Sequence, residues 1–344
     1  MRRLLLLFAG LLVAVLCLGQ AGLFIPSERF SSGLINDICQ DKYGLIWIAT
    51  ENGLNKYDGY RFTTYYHQPA DSTTLPSKVV TKLYCDKKGQ LWVGTRMGIS
   101  RYDYATDRFV RYPFSTNETP RIISILERKN GEFLVGTSGR GVYALQNDTL
   151  KKIPDGYTTG GGNWYFNQMM EDRRGRFWKC GYGEEITMKD QTGVHQFFVS
   201  KGIVMLMTEK DGDILIISQH GITCYRDGDM VNADIDLSAF GSENVVICSA
   251  YQDRKGNIYI GTRGDGLFLL RKGSKKLARV ECSLNGLDLN TANIWRIKED
   301  RNGNIWLGCL SKRPGNDSKC PTPVLFLELF VSGLSYRIHS DFHL

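Results

Sequence analysis

Apolar residues along this chain fall in short runs, many of them alternating with polar ones, and Gly, Asp and Asn punctuate them at regular intervals. One phrase recurs. Asp41-Lys-Tyr-Gly-Leu-Ile-Trp-Ile-Ala-Thr50 returns as Asp86-Lys-Lys-Gly-Gln-Leu-Trp-Val-Gly-Thr95, as Asp253-Arg-Lys-Gly-Asn-Ile-Tyr-Ile-Gly-Thr262 and as Asp300-Arg-Asn-Gly-Asn-Ile-Trp-Leu-Gly308. Weaker copies lie at Arg128 to Thr137, Asp172 to Gly181 and Glu209 to Ser218. The anchoring glycines are Gly44, Gly89, Gly131, Gly175, Gly212, Gly256 and Gly303, with steps of 45, 42, 44, 37, 44 and 47 residues. A fixed period of this size signals a solenoid, propeller or array, and it excludes leucine-rich repeats, whose period is roughly 20–29 residues.

Each copy predicts a four-stranded antiparallel unit. First strands are expected at Ile35 to Gln40, Val79 to Cys85, Ile122 to Glu127, Val245 to Gln252 and Asn293 to Lys298. The D-x-x-G segment then turns the chain, with Gly at positive φ and Asp bonding the local backbone. A second strand carries an aromatic residue or Leu three residues past the glycine: Trp47, Trp92, Leu134, Trp178, Leu215, Tyr259 and Trp306. Four of the six Trp share this register, which places them between neighbouring units. The Gly-Thr ending that strand permits close backbone approach. A further Gly opens a third strand at Gly53, Gly98, Gly141, Gly221 and Gly266, with Tyr57, Tyr102 and Tyr225 at one shared position. A fourth strand is expected at Arg61 to Tyr66 and at Phe109 to Tyr112. Beyond the leader no long run shows helical periodicity. Radial stacking would bury both faces of such sheets and protect their edges. The expectation is therefore an all-β, seven-bladed β-propeller of four-stranded antiparallel blades with its last blade incomplete.

The motif D-x-x-G-x-[IL]-W-[IV]-G-T…G-[LI]-x-x-[YF] resembles the two-component regulator propeller repeat. The stretch from Asn36 to Gly59 is a close match, and the resemblance runs from Leu23 to Gly308. It implies the periplasmic sensor region of a hybrid histidine kinase of Bacteroides type. In that family two propellers precede a β-sandwich, a membrane span, a kinase core and receiver domains. This chain looks like the first propeller alone.

The two ends add expectations of their own. Met1-Arg-Arg, the apolar run Leu4 to Leu18 and Gly19-Gln20-Ala21 read as a secretory signal peptide over residues 1–21; a retained anchor or lipidation at Cys17 is the alternative. The propeller is assigned to 22–310, with Leu23 to Pro26 as a fourth strand closing the seventh blade. Residues 311–344 depart from the repeat and hold three of the nine prolines, Pro314, Pro321 and Pro323. They form a divergent tail, out of frame or naturally variant, in which Val324 to Phe330 is apolar enough to act as a surrogate strand. Without its own third strand the last blade would leave an unpaired edge and a marginal fold.

Net charge is +7, but the basic residues are scattered among turns, which argues against a nucleic-acid partner and is compatible with acidic glycans. Of nine Cys none forms C-x-x-C, and Cys39, Cys85 and Cys248 fall in or beside first strands, so core thiols are expected to be mostly reduced. None of the five His (His67, His195, His220, His339, His343) opens a phospho-accepting helix, and Gly264-Asp265-Gly266 reads as a turn and not an ATP lid. The recurrence of the D-x-x-G Asp argues for turn-making and not catalysis. No cofactor, metal site or catalytic residue is assigned.

Ligand binding is expected instead at the rim formed by the loops after each Gly-Thr. Arg96, Arg140, Tyr182, His220 and Arg263 are the candidate residues, since Arg suits carboxylate or sulfate groups and Tyr can stack on a sugar ring. The insert His67 to Ser77 and the stretch around Trp164 are further variable loops. The expected function is periplasmic or secreted sensing of an oligosaccharide, with a second propeller or a homodimer partner, and a membrane reached only through domains absent from this chain. A stand-alone carbohydrate- or protein-binding scaffold is the alternative; a propeller lyase or hydrolase is the second.

Overall fold

The computed structural model describes residues 23–25, 30–116, 118–153, 166–181, 185–199, 202–208, 213–281, 283–284, 287–310 and 324–327. The proposed signal peptide, Tyr182, Trp164, Gly212 and most of the 311–344 tail lie outside these residues. The chain is an all-β propeller with four-stranded antiparallel blades. Helix among the described residues is limited to two 3-10 turns, Ser238–Phe240 and Leu289–Thr291, and no helix there is long and apolar enough to cross a membrane.

Six blades each use four consecutive strands. They begin with the inner strands Ile35–Gln40, Val80–Cys85, Ile122–Glu127, Phe166–Glu171, Ile203–Thr208 and Ile247–Gln252. The expected count of seven such units needs correction. Asn293–Glu299 and Ile305–Leu310 start another sheet, but its third strand is Val324–Leu327 and its outer strand is Leu23–Ile25. The repeat phrase breaks after Gly308, so the segment that pairs with Ile305–Leu310 comes from the tail, with Trp306 opposite Phe326. Leu23 pairs with Phe326 and not with blade 1. The inner strands pack side by side in sequence, and Asn293–Glu299 packs back on Ile35–Gln40 to close the ring.

The repeated residues explain why blades stack. Second strands such as Ile46–Thr50, Leu91–Thr95 and Ile258–Thr262 are buried along their whole length, because a neighbouring blade covers each face. Their Trp side chains meet the shared Tyr of the next blade: Trp47 and Tyr102 ring centroids lie 4.7 Å apart, Trp178 and Tyr225 5.1 Å, and Trp306 and Tyr57 6.3 Å. Such aromatic pairs add attraction beyond the area they bury.

The turn aspartate does more than turn the chain. Asp41 Oδ1 accepts the Tyr43 and Leu45 amides, and its Oδ2 accepts the Trp47 indole N–H at 2.7 Å. Asp86, Asp172 and Asp300 hold Trp92, Trp178 and Trp306 in the same way, at 2.9, 2.8 and 3.0 Å. A single carboxylate thus shapes the Gly44 turn (φ 88°) and fixes the buried Trp six residues on.

The basic residue after that Asp joins blades. The Lys87 amide donates to Glu127 Oε2 (2.8 Å) and its Nζ to Arg128 O (2.6 Å); Lys129 makes the equivalent bonds to Glu171 Oε2 and Asp172 O. Arg301 donates to Gln40 Oε1 (2.7 Å) and Lys42 O (2.6 Å), carrying the pattern across the closure.

Candidate ligand-binding channel

The strands that begin the blades line a central channel of about 440 Å³. Each inner strand carries a β-bulge at one position, the register shifting between Ile35 and Asp37, Val80 and Lys82, Ile122 and Ser124, Phe166 and Gln168, Ile203 and Met205, Ile247 and Ser249, and Ile294 and Arg296. A bulge re-aims side chains and is common beside functional sites. The second residue of each pair, from Asp37 round to Arg296, lines the channel. A polar residue near the start of the inner strand, present at every ring position but Met205, was the signal that could have found this ring.

The chemistry concentrates where the composite sheet meets blades 1 and 2. Lys82 Nζ lies 2.9 Å from Asp37 Oδ2, which also accepts the Leu83 amide at 3.0 Å. Burial pushes the Asp37 carboxyl up, but Lys82, Arg296, the Leu83 amide and Lys298 outweigh it and hold the group below its ordinary 3.8. Arg296 donates from Nε to Asn36 O and from Nη1 to Trp295 O. Lys298 lies 5.6 Å over the Tyr251 ring. Because the folded pKa of Asp37 is depressed, its contribution to stability is complete above 3.8 and drains away as pH falls through the lower folded value. Asp37→Asn is therefore expected to flatten the acid limb of the stability profile. Urea denaturation between neutral pH and the onset of acid unfolding checks this; parallel limbs would refute it.

The rim turns lie beside the channel mouth through a repeated backbone bond. The amides of Glu51, Arg96, Ser138, Gln219 and Arg263 donate to the carbonyls of Leu34, Val79, Arg121, Gly202 and Val246, the residues leading into the inner strands. Arg96 and Arg263 share this register. Arg263 stacks over Trp295, its guanidinium carbon 5.5 Å from the ring centroid; Trp295 in turn lines a 270 Å³ cleft with Asn36, Glu51 and Arg296, and Arg263 is not among its lining residues. The remaining candidates do not join them. Arg140 is exposed and sits later in its turn, paired with Glu118 at 3.0 Å. His220 borders a separate open depression of about 670 Å³ on the flank of blade 5. Tyr182 lies outside the described residues. Sequence reasoning missed Asp37, Lys82, Arg121, Trp295, Arg296 and Lys298, all on or beside inner strands and not in the repeat phrase.

The described residues include no group of three side chains arranged to hold a metal ion. Cys39 and Cys180 are free and buried, and burial pushes both thiols up to about 12, so they stay protonated at neutral pH.

The family profile described as the two component regulator propeller matches residues 29–52, 74–97, 241–264 and 288–311. A histidine kinase of Formosa agariphila is 44% identical over 52 residues, which is 15% of this chain and 4% of that protein. The extracellular domain of a hybrid two component system of B. thetaiotaomicron superposes with a TM-score of 0.71 at 20% identity, over 90% of this chain and 42% of that one. The virginiamycin B lyase of Staphylococcus aureus superposes at 0.64 with 12% identity, over 91% of this chain and all of that one. These structural likenesses are those of fold. The chain spans less than half of the two component structure and a small fraction of the curated kinase. Four segments of this chain, each containing a D-x-x-G turn, match the two component regulator propeller repeat.

Proposed function

We propose that this chain is the ligand-sensing propeller of an exported two-component signalling system, and that it recognises an oligosaccharide where the rim turns meet the channel. The observation that carries the reading is the 270 Å³ cleft, in which Trp295 and Arg296 offer a ring and a bidentate donor, with Arg263 over the same Trp295 ring. In this reading the composite sheet counts as a seventh blade, residues 1–21 direct export, and residues 311–344 are a divergent tail. Binding would alter packing against a second propeller or a second copy and so bias a kinase carried elsewhere. Arg96 and Arg263 contact the glycan; Arg140, His220 and Tyr182 are secondary rim positions.

The propeller is read as a binder and not an enzyme. Calorimetric titration of the purified chain with an oligosaccharide panel, followed by chromatography of the recovered sugar, tests this. Binding with the sugar returned intact is expected, and the Arg96→Ala, Arg263→Ala double variant should weaken it about tenfold or more. Unchanged affinity in that variant would dismiss the rim assignment. Cleavage abolished by the same variant would replace sensing with catalysis.

A further inference from the structure

We infer that the central channel is itself an anion site, built for a small ligand carrying carboxylate or sulfate groups. The inference rests on the sensing reading only in taking an acidic sugar as the natural source of those groups. The channel lining carries four cations, Lys82, Arg121, Arg296 and Lys298, against one carboxylate, Asp37. Asp37 is committed to Lys82 at 2.9 Å. The carboxylates near the two ends are also engaged: Glu51 accepts from Asn36 at 2.9 Å, and Glu299 pairs with Arg254 at 3.2 Å. The surplus positive charge is enclosed by packed apolar blades, and low-dielectric walls of this kind focus the field along the axis.

A second, independent observation points the same way. The Trp295 indole N–H is buried, its residue belongs to the lining, and it donates to none of the described residues. Buried donors are nearly always paired, so an acceptor is missing at this spot. A small turn of the partly buried Trp295 ring toward the channel would let a ligand oxygen supply it while the ligand's charge meets the cations. The 440 Å³ volume falls within the roughly 300–1,000 Å³ common for small-molecule sites. Arg121 is exposed at the rim, where its backbone carbonyl accepts the Ser138 amide at 2.9 Å, so its side chain can be altered without opening the core.

The test is calorimetric titration of the full chain with glucuronate, glucose and inorganic sulfate, each at low and high salt. Glucuronate is expected to bind about tenfold tighter than glucose and to lose about tenfold in Arg121→Gln, as one charge-assisted hydrogen bond predicts. Both anions should weaken as salt rises. Trp295→Phe keeps an aromatic ring, removes the donor and should weaken both anions as well. Glucose binding as tightly as glucuronate, or parental anion affinity in both variants, overturns the inference. If a neutral oligosaccharide binds at the rim while neither anion binds, the channel site falls and oligosaccharide sensing stands. If sulfate and glucuronate bind through Arg121 while no oligosaccharide binds better, the channel site stands and oligosaccharide sensing falls.

Discussion

Asp41→Ala is expected to cost about 3–4 kcal/mol of folding stability, well above the usual effect of a single polar truncation. Asp41 is fully buried and serves four donors: the Tyr43 and Leu45 amides, the Trp47 indole and the Tyr104 hydroxyl. Removing it strands the indole inside the blade 1–blade 2 core, where desolvation makes an unmade bond expensive. Asp41→Asn separates the two jobs of the carboxylate. One amide oxygen can still shape the turn, but the NH2 group would face the indole N–H, so a loss of about 1–2 kcal/mol is expected. Urea unfolding followed by far-ultraviolet circular dichroism measures both. A loss in Asp41→Ala within the ~0.5 kcal/mol of an ordinary surface change would mean that the Asp–Trp bond is not what fixes the blade.

Gly261→Ala probes the spacing between blades and is expected to destabilise by about 1–3 kcal/mol through overpacking. A Cβ there would lie 2.4 Å from Ser249 Oγ, 2.6 Å from Ile294 O and 2.8 Å from Ile294 Cγ2. Gly94 faces Ile122 Cγ2 at 2.6 Å in the same manner. Blade 1 carries Ala49 at this position, and its neighbour in that core is Val80, one carbon smaller than the isoleucines. Gly221→Ala is the control: its Cβ would meet nothing within 4 Å, so a change within about 0.5 kcal/mol is expected. Equal thermal midpoints for the two variants would remove close blade approach as the reason for the Gly-Thr ending.

The elements that repeat were the legible ones. The period, the turn glycines, the Trp register and the Gly-Thr approach all follow from local rules applied again and again, so each copy supports the others. The pairing of Asp41 with Trp47 was not foreseen, because it is the hairpin register, with Cys39 opposite Trp47 and Gln40 opposite Ile46, that brings residues six apart into contact. The basic residue at the second position of the repeat phrase was visible as Lys87, Lys129 and Arg301, but its acceptor belongs to the next blade, 41 and 43 residues away for the two lysines and 259 for Arg301. The blade count differs where the repeat broke, six four-strand repeats being followed by a composite sheet, yet the surrogate strand expected within Val324 to Phe330 and the closing strand expected within Leu23 to Pro26 are both present in that sheet. The rim arginines were found by type, yet whether one stacks on Trp295, as Arg263 does, or pairs with Glu118, as Arg140 does, depends on where it falls within its turn. The channel ring stayed hidden because no one side-chain type marks its positions, which run from Asp37 and Lys82 through Ser124, Gln168, Met205 and Ser249 to Arg296.

The ring closure has a kinetic meaning. Arg301 to Gln40 and Arg296 to Asn36 join residues 261 and 260 positions apart, so these bonds form only after the intervening blades are in place. Closing so long a loop draws on chain entropy before any contact repays it. Contacts made that late are absent from the folding transition state, and their strength is felt on the unfolding limb. The seam between the composite sheet and blade 1 therefore governs how long the propeller stays shut, while the local hairpins govern how quickly it assembles.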